Sequence, residues 1–237
     1  MPKKIAIITG TSKGIGQALA KVYLENHYKV IGIARTNTID APNFTFIPFD
    51  LQHWERIADL DFQISDAEEL VLINNAGRIG EIVPFQETAF ADFKATMDLN
   101  LMAVMALCHK VLHLKLESQK LTMVNISSGA GRNTIPSWTP YCTSKAAVDH
   151  FSSNLQAELD ESESGVRVYS VAPGVVDTNM QEMIRNADAT KFSAHQKFQA
   201  LHENHQLQAP EYIANELFEL VNTSPKEVLQ RIAPFNS

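Results

Sequence analysis

The chain has 237 residues, of which 45% are hydrophobic and 20% charged, with a formal net charge of −7 at pH 7. This composition fits a soluble globular protein with a substantial core, and the negative balance argues against a nucleic-acid surface, which needs a basic stripe. Two cysteines, Cys108 and Cys142, make neither a disulfide framework nor a zinc-ligand spacing, as suits a reducing compartment.

The N-terminal stretch MPKKIAIITG has lysines but no signal-peptide core, and the best apolar run, Leu101 to Cys108, falls short of the ~18 residues of a membrane span. A cytoplasmic protein with no membrane partner is expected. In chain order, apolar β-branched runs occur at 4–9, 29–34, 44–47, 70–73, 121–126 and 166–172. They are unbroken rather than alternating, which predicts strands buried on both faces of a parallel sheet.

Helical patterns alternate with these strands. The first, 14–26, places Ile15, Leu19, Val22 and Tyr23 on one stripe; others fall at 89–117, 140–160 and 210–222. Strand alternating with helix predicts an α/β fold with a doubly wound parallel sheet and helices on both faces. No composition break divides the chain, so residues 1–237 read as one domain. The stretch 177–206 reads as helical pieces inserted beyond the carboxyl end of a strand, where they would cover a ligand crevice as a lid.

Strand 4–9 runs into TGTSKGIG and then a helix. Gly10, Gly14 and Gly16 allow a sharp turn, close approach of bare backbone to a ligand, and tight helix packing, while the helix start offers free N–H groups to a pyrophosphate. The spacing is GxxxGxG, and no Lys-Ser or Lys-Thr follows the last glycine, which excludes a Walker loop. A glycine-rich turn without a ligand is the alternative.

Further along, YCTSK (141–145) places Tyr141 and Lys145 four apart, hence on one helical face. That spacing alone is common, and a surface pair would look the same. In a site, a cation near a phenol favours phenolate and lowers the phenol pKa by ~1–3 units, which suits a group that moves a proton near neutral pH.

TGTSKGIG, NNAG (74–77), Asn100 in MDLNL, NISSGAG (125–131), YCTSK and PGVVDT (173–178) occur in the order and spacing of the single-domain short-chain dehydrogenase/reductase family, which the chain resembles over roughly residues 4 to 178. The resemblance implies a Rossmann-type fold, a nicotinamide dinucleotide, and hydride transfer to or from a carbonyl or alcohol carbon. It implies Tyr141 as proton donor and Lys145 as the group that lowers its pKa and holds the ribose. Ser128 would polarise the carbonyl, with Ser127 a structural neighbour, and Asn100 would support a relay water, although a purely structural amide would look identical.

By the same resemblance, the cofactor would meet Gly10, Ser12, Lys13, Gly14, Ile15, Gly16, Arg35, Thr36, Asp50, Leu51, Asn75, Ala76 and Gly77. Pro173, Gly174, Val176 and Thr178 would face its nicotinamide end. Asp50 also reads as a helix N-cap for a helix starting near Leu51. NAD-preferring relatives carry an acid where this chain has Ala34; Arg35 and Lys13 instead present cations to a 2′-phosphate, so NADP(H) is expected.

From Pro173 onward the chain is similar to the sepiapterin reductase and benzil reductase branch. Met180, Met183, Phe192, Phe198 and Trp138 are the candidate walls of an apolar pocket, or simply pack the lid. No Asp follows Asp188, unlike the pterin-anchoring pattern, and SPKEVLQRIAPFNS lacks the branch's usual glycine-containing last strand. A diketone or aromatic-ketone reductase is therefore favoured over a pterin reductase. The partner is a small carbonyl compound, and the resemblance implies a homodimer or homotetramer. A non-catalytic NADPH-binding sensor and a structural interaction protein are the rivals. His195, His202 and His205 could share a helical face, with no carboxylate or cysteine pattern to complete a metal set.

Overall fold

The computed structural model describes residues 3–234. Its strands are β1 (Lys4–Thr9), β2 (Lys29–Ala34), β3 (Phe44–Pro48), β4 (Glu69–Asn74), β5 (Lys120–Ile126), β6 (Arg167–Ala172) and β7 (Leu229–Arg231). Helices are α1 (Gly14–Glu25), α2 (Phe90–Met97), α3 (Ala103–Leu114), α4 (Thr139–Glu161), α5 (Asn179–Arg185), α6 (His195–Glu203) and α7 (Pro210–Thr223). The strands form one parallel sheet in the order β3-β2-β1-β4-β5-β6-β7.

Unbroken apolar runs make this sheet because each inner strand feeds two cores. In β1, Ala6 and Ile8 face the layer of α1 and α7, with Leu19, Tyr23, Ile213 and Leu217. Ile5 and Ile7 face the other layer, with Leu107 and Val111 of α3. Full burial of such side chains stabilises the fold by about 1.5–3 kcal/mol each. Strand order reverses direction between β1 and β4, and at such a switch point the loops beyond the carboxyl ends diverge to leave a crevice.

Several expectations change. The run 44–47 is an edge strand, only partly covered, because nothing pairs beyond it. A last strand exists without glycine: β7 pairs Leu229–Arg231 with β6. No α-helix starts at Leu51. Asp50 Oδ1 accepts from the Gln52 N–H at 3.0 Å, closing a local turn, and a 3-10 turn follows at Trp54–Asp59.

The helix expected over 89–117 contains a π turn, Asp98–Met102, between α2 and α3. With that turn it runs 25 residues, Phe90–Leu114, and an 18-residue window reaches a mean hydropathy of 1.2. Length and composition alone would let it cross a membrane, contrary to the reading of Leu101–Cys108 as the longest apolar candidate. Here its inner face, Ala103, Val104, Leu107, Cys108 and Val111, is buried against the sheet.

Candidate active site

A cleft of about 1110 Å³ opens above the carboxyl ends of β1, β2, β4, β5 and β6. One half is built mainly of backbone. Gly10 (φ +74°) and Gly14 (φ +56°) take left-handed conformations that side chains rarely adopt, and with Ser12, Lys13 and Ile15 they line the cleft. Lys13 caps α1 without any side-chain hydrogen bond, so the first N–H groups of the helix are left to the cleft.

Gly16 does not line the cleft; it lets the helix touch the turn. A Cβ there would lie 2.2 Å from Gly10 O and 2.4 Å from Asn75 Nδ2. The NNAG segment is tied to the same turn. Thr9 Oγ1 accepts from the Asn75 and Ala76 N–H groups, both at 2.9 Å, and Asn75 Nδ2 donates to Thr9 O at 2.9 Å. Asn75, Ala76 and Gly77 line the cleft, but the Asn75 amide is engaged in holding the turn.

At the end of β2, Ala34 and Arg35 line the cleft, as do Asp50 and Leu51 beyond β3. Arg35 is exposed and makes no ion pair among the described residues. Thr36 is exposed and lies outside the cleft wall, because the chain has already turned away after Arg35. Pro173, Gly174 (φ +83°), Val176 and Thr178 line the wall after β6. Thr178 Cγ2 would be 3.2 Å from a Cβ on Gly14, so the base of the lid meets the glycine turn.

The other half is built of side chains. Ser128 heads a short turn after β5, and its Oγ accepts from the Ala130 N–H at 3.1 Å, which leaves its own proton to donate. Its hydroxyl is near enough to the Tyr141 phenol to favour the phenolate. Ser127 donates to Lys145 O at 3.3 Å and is buried, a structural engagement. Proline near the start of α4 fixes its first turn, and the 3.6-residue period then sets Tyr141 above Lys145. Both are buried, and Lys145 Nζ stands 5.9 Å from the Tyr141 ring centre.

The electrostatics differ from the expectation that Lys145 lowers the Tyr141 pKa. Burial raises the Tyr141 pKa above its usual value, the Ser128 contact opposes this, and Lys145 is not among the causes. Lys145 donates instead to Ile126 O at 2.6 Å. Its own pKa falls to about 8, because burial disfavours the ammonium, while Asp149 works in the opposite sense.

Asn100 lies in the π turn and is fully buried, behind the cleft wall. Its Oδ1 accepts from the Arg78 N–H at 2.9 Å, and Nδ2 donates to Arg78 O at 2.9 Å and Ser144 Oγ at 3.1 Å. The side chain is therefore engaged, as the structural alternative anticipated. It still borders the site: a Cβ on Gly77 would sit 3.3 Å from Asn100 Oδ1 and 3.7 Å from Lys145 Nζ.

Beside this half lie α5 and α6, the two helices of the stretch 177–206 that was expected to form a lid, and both contribute residues to the cleft wall. Trp138 stacks on Phe192 (ring centres 5.5 Å) and Phe198 (5.1 Å), and meets Tyr141 edge-on at 5.7 Å. Trp138, Met180 and Phe198 line the cleft, whereas Phe192 is buried outside its wall and Met183 points away, 56% exposed. Sequence reading missed Ile184 and Leu201, which lie one turn from Met180 and Phe198 and could have been found from that spacing. It also missed Ile79, Ile135, Lys197 and Arg231, which single positions do not betray. His195 Nε2 is bonded to Arg185 O at 2.9 Å and joins the two lid helices.

The short chain dehydrogenase family matches residues 4–189. The chain belongs to that family. Two benzil reductases ((S)-benzoin forming) are similar to this short-chain dehydrogenase. That of Bacillus cereus is 36% identical, covering 93% of this chain and 94% of its own. That of Bacillus subtilis is 34% identical, covering 92% and 93%. Among solved structures, 4-hydroxyisoleucine dehydrogenase complexed with NADH superposes with a TM-score of 0.81 at 26% identity, covering 98% of each chain.

Short-chain dehydrogenases bind nicotinamide cofactors, and this chain's residues fit such a group. The fit rests on the cradle of Gly10 and Gly14, which side chains would fill or strain, beside an uncapped helix start.

Proposed function

We propose that this short-chain dehydrogenase is an NADPH-dependent carbonyl reductase acting on an aromatic ketone or vicinal diketone. The observation that carries the reading is the convergence of the half-buried Ser128 with the buried Tyr141 and Lys145 in the cleft that the glycine cradle also lines. When bound, the reduced nicotinamide supplies a hydride to a carbonyl carbon.

Charge then develops on the carbonyl oxygen, and the chain's own groups answer it. Ser128 donates its hydroxyl proton in a hydrogen bond to that oxygen. Tyr141, whose raised pKa keeps the phenol protonated at neutral pH, transfers its proton to the oxygen and becomes phenolate. The Lys145 ammonium, charged below about pH 8, stabilises that phenolate across a dry site, where charge interactions are strong. The proton that Tyr141 gives up is restored from solvent water, and the π turn at Asn100, which shifts carbonyls out of the i+4 ladder, offers acceptors that can hold such a water. The proton-holding form of Tyr141 suits reduction rather than oxidation near neutral pH.

NADPH over NADH is supported by Ala34, Arg35 and Lys13, a wall with two cations where an acid would repel a 2′-phosphate. Aromatic carbonyl substrates are supported by Ile79, Ile135, Trp138, Ile184, Phe198 and Leu201 around Tyr141, and by likeness to the benzil reductases. Lys197 and Arg231 line the lid end and sheet edge, and among the described residues no carboxylate lines the cleft beside them to anchor a pterin.

The test is NADPH oxidation across aromatic diketones, aromatic ketones, quinones and pterins. Fastest turnover is expected with an aromatic diketone such as benzil. Tight NADPH binding with no turnover on any carbonyl would sink the reading in favour of a sensor.

A further inference from the structure

Behind the candidate catalytic groups lies an ion pair that the reaction does not touch directly. Asp149 is on α4, one turn past Lys145, and is buried. Its Oδ2 accepts from Arg132 Nε at 2.9 Å, and its Oδ1 accepts from Ser170 Oγ on β6 at 2.6 Å. Arg132 directly follows the turn that carries Ser128, lines the cleft, and reaches Gln230 O of β7 at 3.4 Å. That turn packs onto helix backbone: a Cβ on Gly131 would lie 2.8 Å from the Lys145 carbonyl carbon. The pair thus binds the serine turn, α4 and the last two strands at one point. A buried pair adds little net stability over an apolar replacement, so stability alone does not account for it.

The surroundings of Lys145 contain few other charges. Tyr141 faces it from its own helix, Ile126 O and Ser127 from the end of β5, and Gly77 and Asn100 from the opposite side. Arg78, beside Gly77, is ion-paired with Asp92 of α2. Asp149 is the charge that favours the Lys145 ammonium, and Arg132 is the charge that tempers Asp149.

We infer that Arg132 and Asp149 are positioning residues: they clamp the Ser128 turn to the helix of Tyr141 and Lys145, and Asp149 is the counter-charge of the buried ammonium. A clamp without an electrostatic role would weaken equally when either partner is lost. The counter-charge role gives opposite signs. Asp149→Asn removes support for the ammonium, so Lys145 loses its proton at lower pH. Arg132→Gln leaves the Asp149 charge untempered, so Lys145 holds its proton to higher pH.

The experiment is an NMR pH titration of the Lys145 side chain in the whole protein with isotopically labelled lysine, assigned with Lys145→Arg. The wild-type midpoint should lie near 8. It should fall by about one unit in Asp149→Asn and rise in Arg132→Gln. An unmoved midpoint in Asp149→Asn, or shifts of the same sign in both variants, would overturn the inference; if Asp149→Asn does not fold, the direction in Arg132→Gln decides. A second arm follows benzil reduction with NADPH, where the alkaline limb of the rate should move in the same two directions. This arm rests on the carbonyl-reductase reading, so absent wild-type turnover counts against that reading and not against the titration.

Discussion

The two halves of the cleft are made of different material. At the dinucleotide end, backbone does most of the shaping: left-handed Gly10 and Gly14, the close pass at Gly16, and Thr9 holding the Asn75 and Ala76 N–H groups. At the substrate end, the wall is side chains from the serine turn, α4 and the lid, stacked around Trp138. A backbone cradle has one way to be built and tolerates no added atoms. A side-chain wall can change its residues and keep its shape, which is how one fold serves many carbonyl compounds.

That contrast makes graded predictions. The largest effect is expected at Gly16, which touches no ligand: Gly16→Val puts a Cβ 2.2 Å from Gly10 O and must move the turn. NADPH affinity, read by fluorescence, should fall by about a hundredfold or more, together with a ~1–3 kcal/mol loss of stability. Unchanged affinity would show that the cradle does not need its close pass.

Next comes Lys145→Met. Burial holds the folded Lys145 pKa near 8, below its ordinary 10.5, so the folded state disfavours the charged form. That cost is complete below about pH 8 and disappears as pH rises through 10.5. Removing the charge should therefore abolish turnover yet stabilise the fold at pH 7 by up to about 3 kcal/mol, with the gain shrinking above pH 8. A loss of stability at pH 7 in chemical denaturation would contradict it.

Arg35→Ala should weaken NADPH by about tenfold to a hundredfold while leaving NADH nearly unchanged, the loss of one charge-assisted contact. An unaltered NADPH/NADH ratio in steady-state kinetics would remove the basis for the cofactor preference. Phe198→Leu, a change in the side-chain wall, is the mildest. It should raise KM for benzil by about tenfold or less and leave NADPH binding alone. If it disturbed cofactor and substrate equally, the division of the cleft into two halves would fail.

Much of the scaffold was legible because its causes are local. The run KIAIIT feeds two cores at once, and TGTSKGIG can only be a turn into a helix, so β1 and α1 follow from short windows. β7 was hidden because three residues at a sheet edge, with little burial, leave no apolar signature. The π turn at Asp98–Met102 follows no side-chain period, so α2 and α3 read as one regular helix.

In the site, Ser128, Tyr141 and Lys145 were readable as a set, and the structure brings them into one corner. The balance of charge was not. Spacing brought a lysine near a tyrosine, but it could not reveal that burial would outweigh the Ser128 contact and raise the Tyr141 pKa. Met183 and Phe192 show a related limit, since an apolar residue in a lid helix has equal claim to the cleft, the core or the outside.

The central claim is that Tyr141 delivers the proton in a carbonyl reduction. The most direct measurement is NADPH oxidation with benzil by wild type and Tyr141→Phe, alongside NADPH affinity for both. Turnover should fall by about 10²–10⁴-fold in Tyr141→Phe with affinity essentially unchanged. Turnover that survives the loss of the hydroxyl would contradict the account.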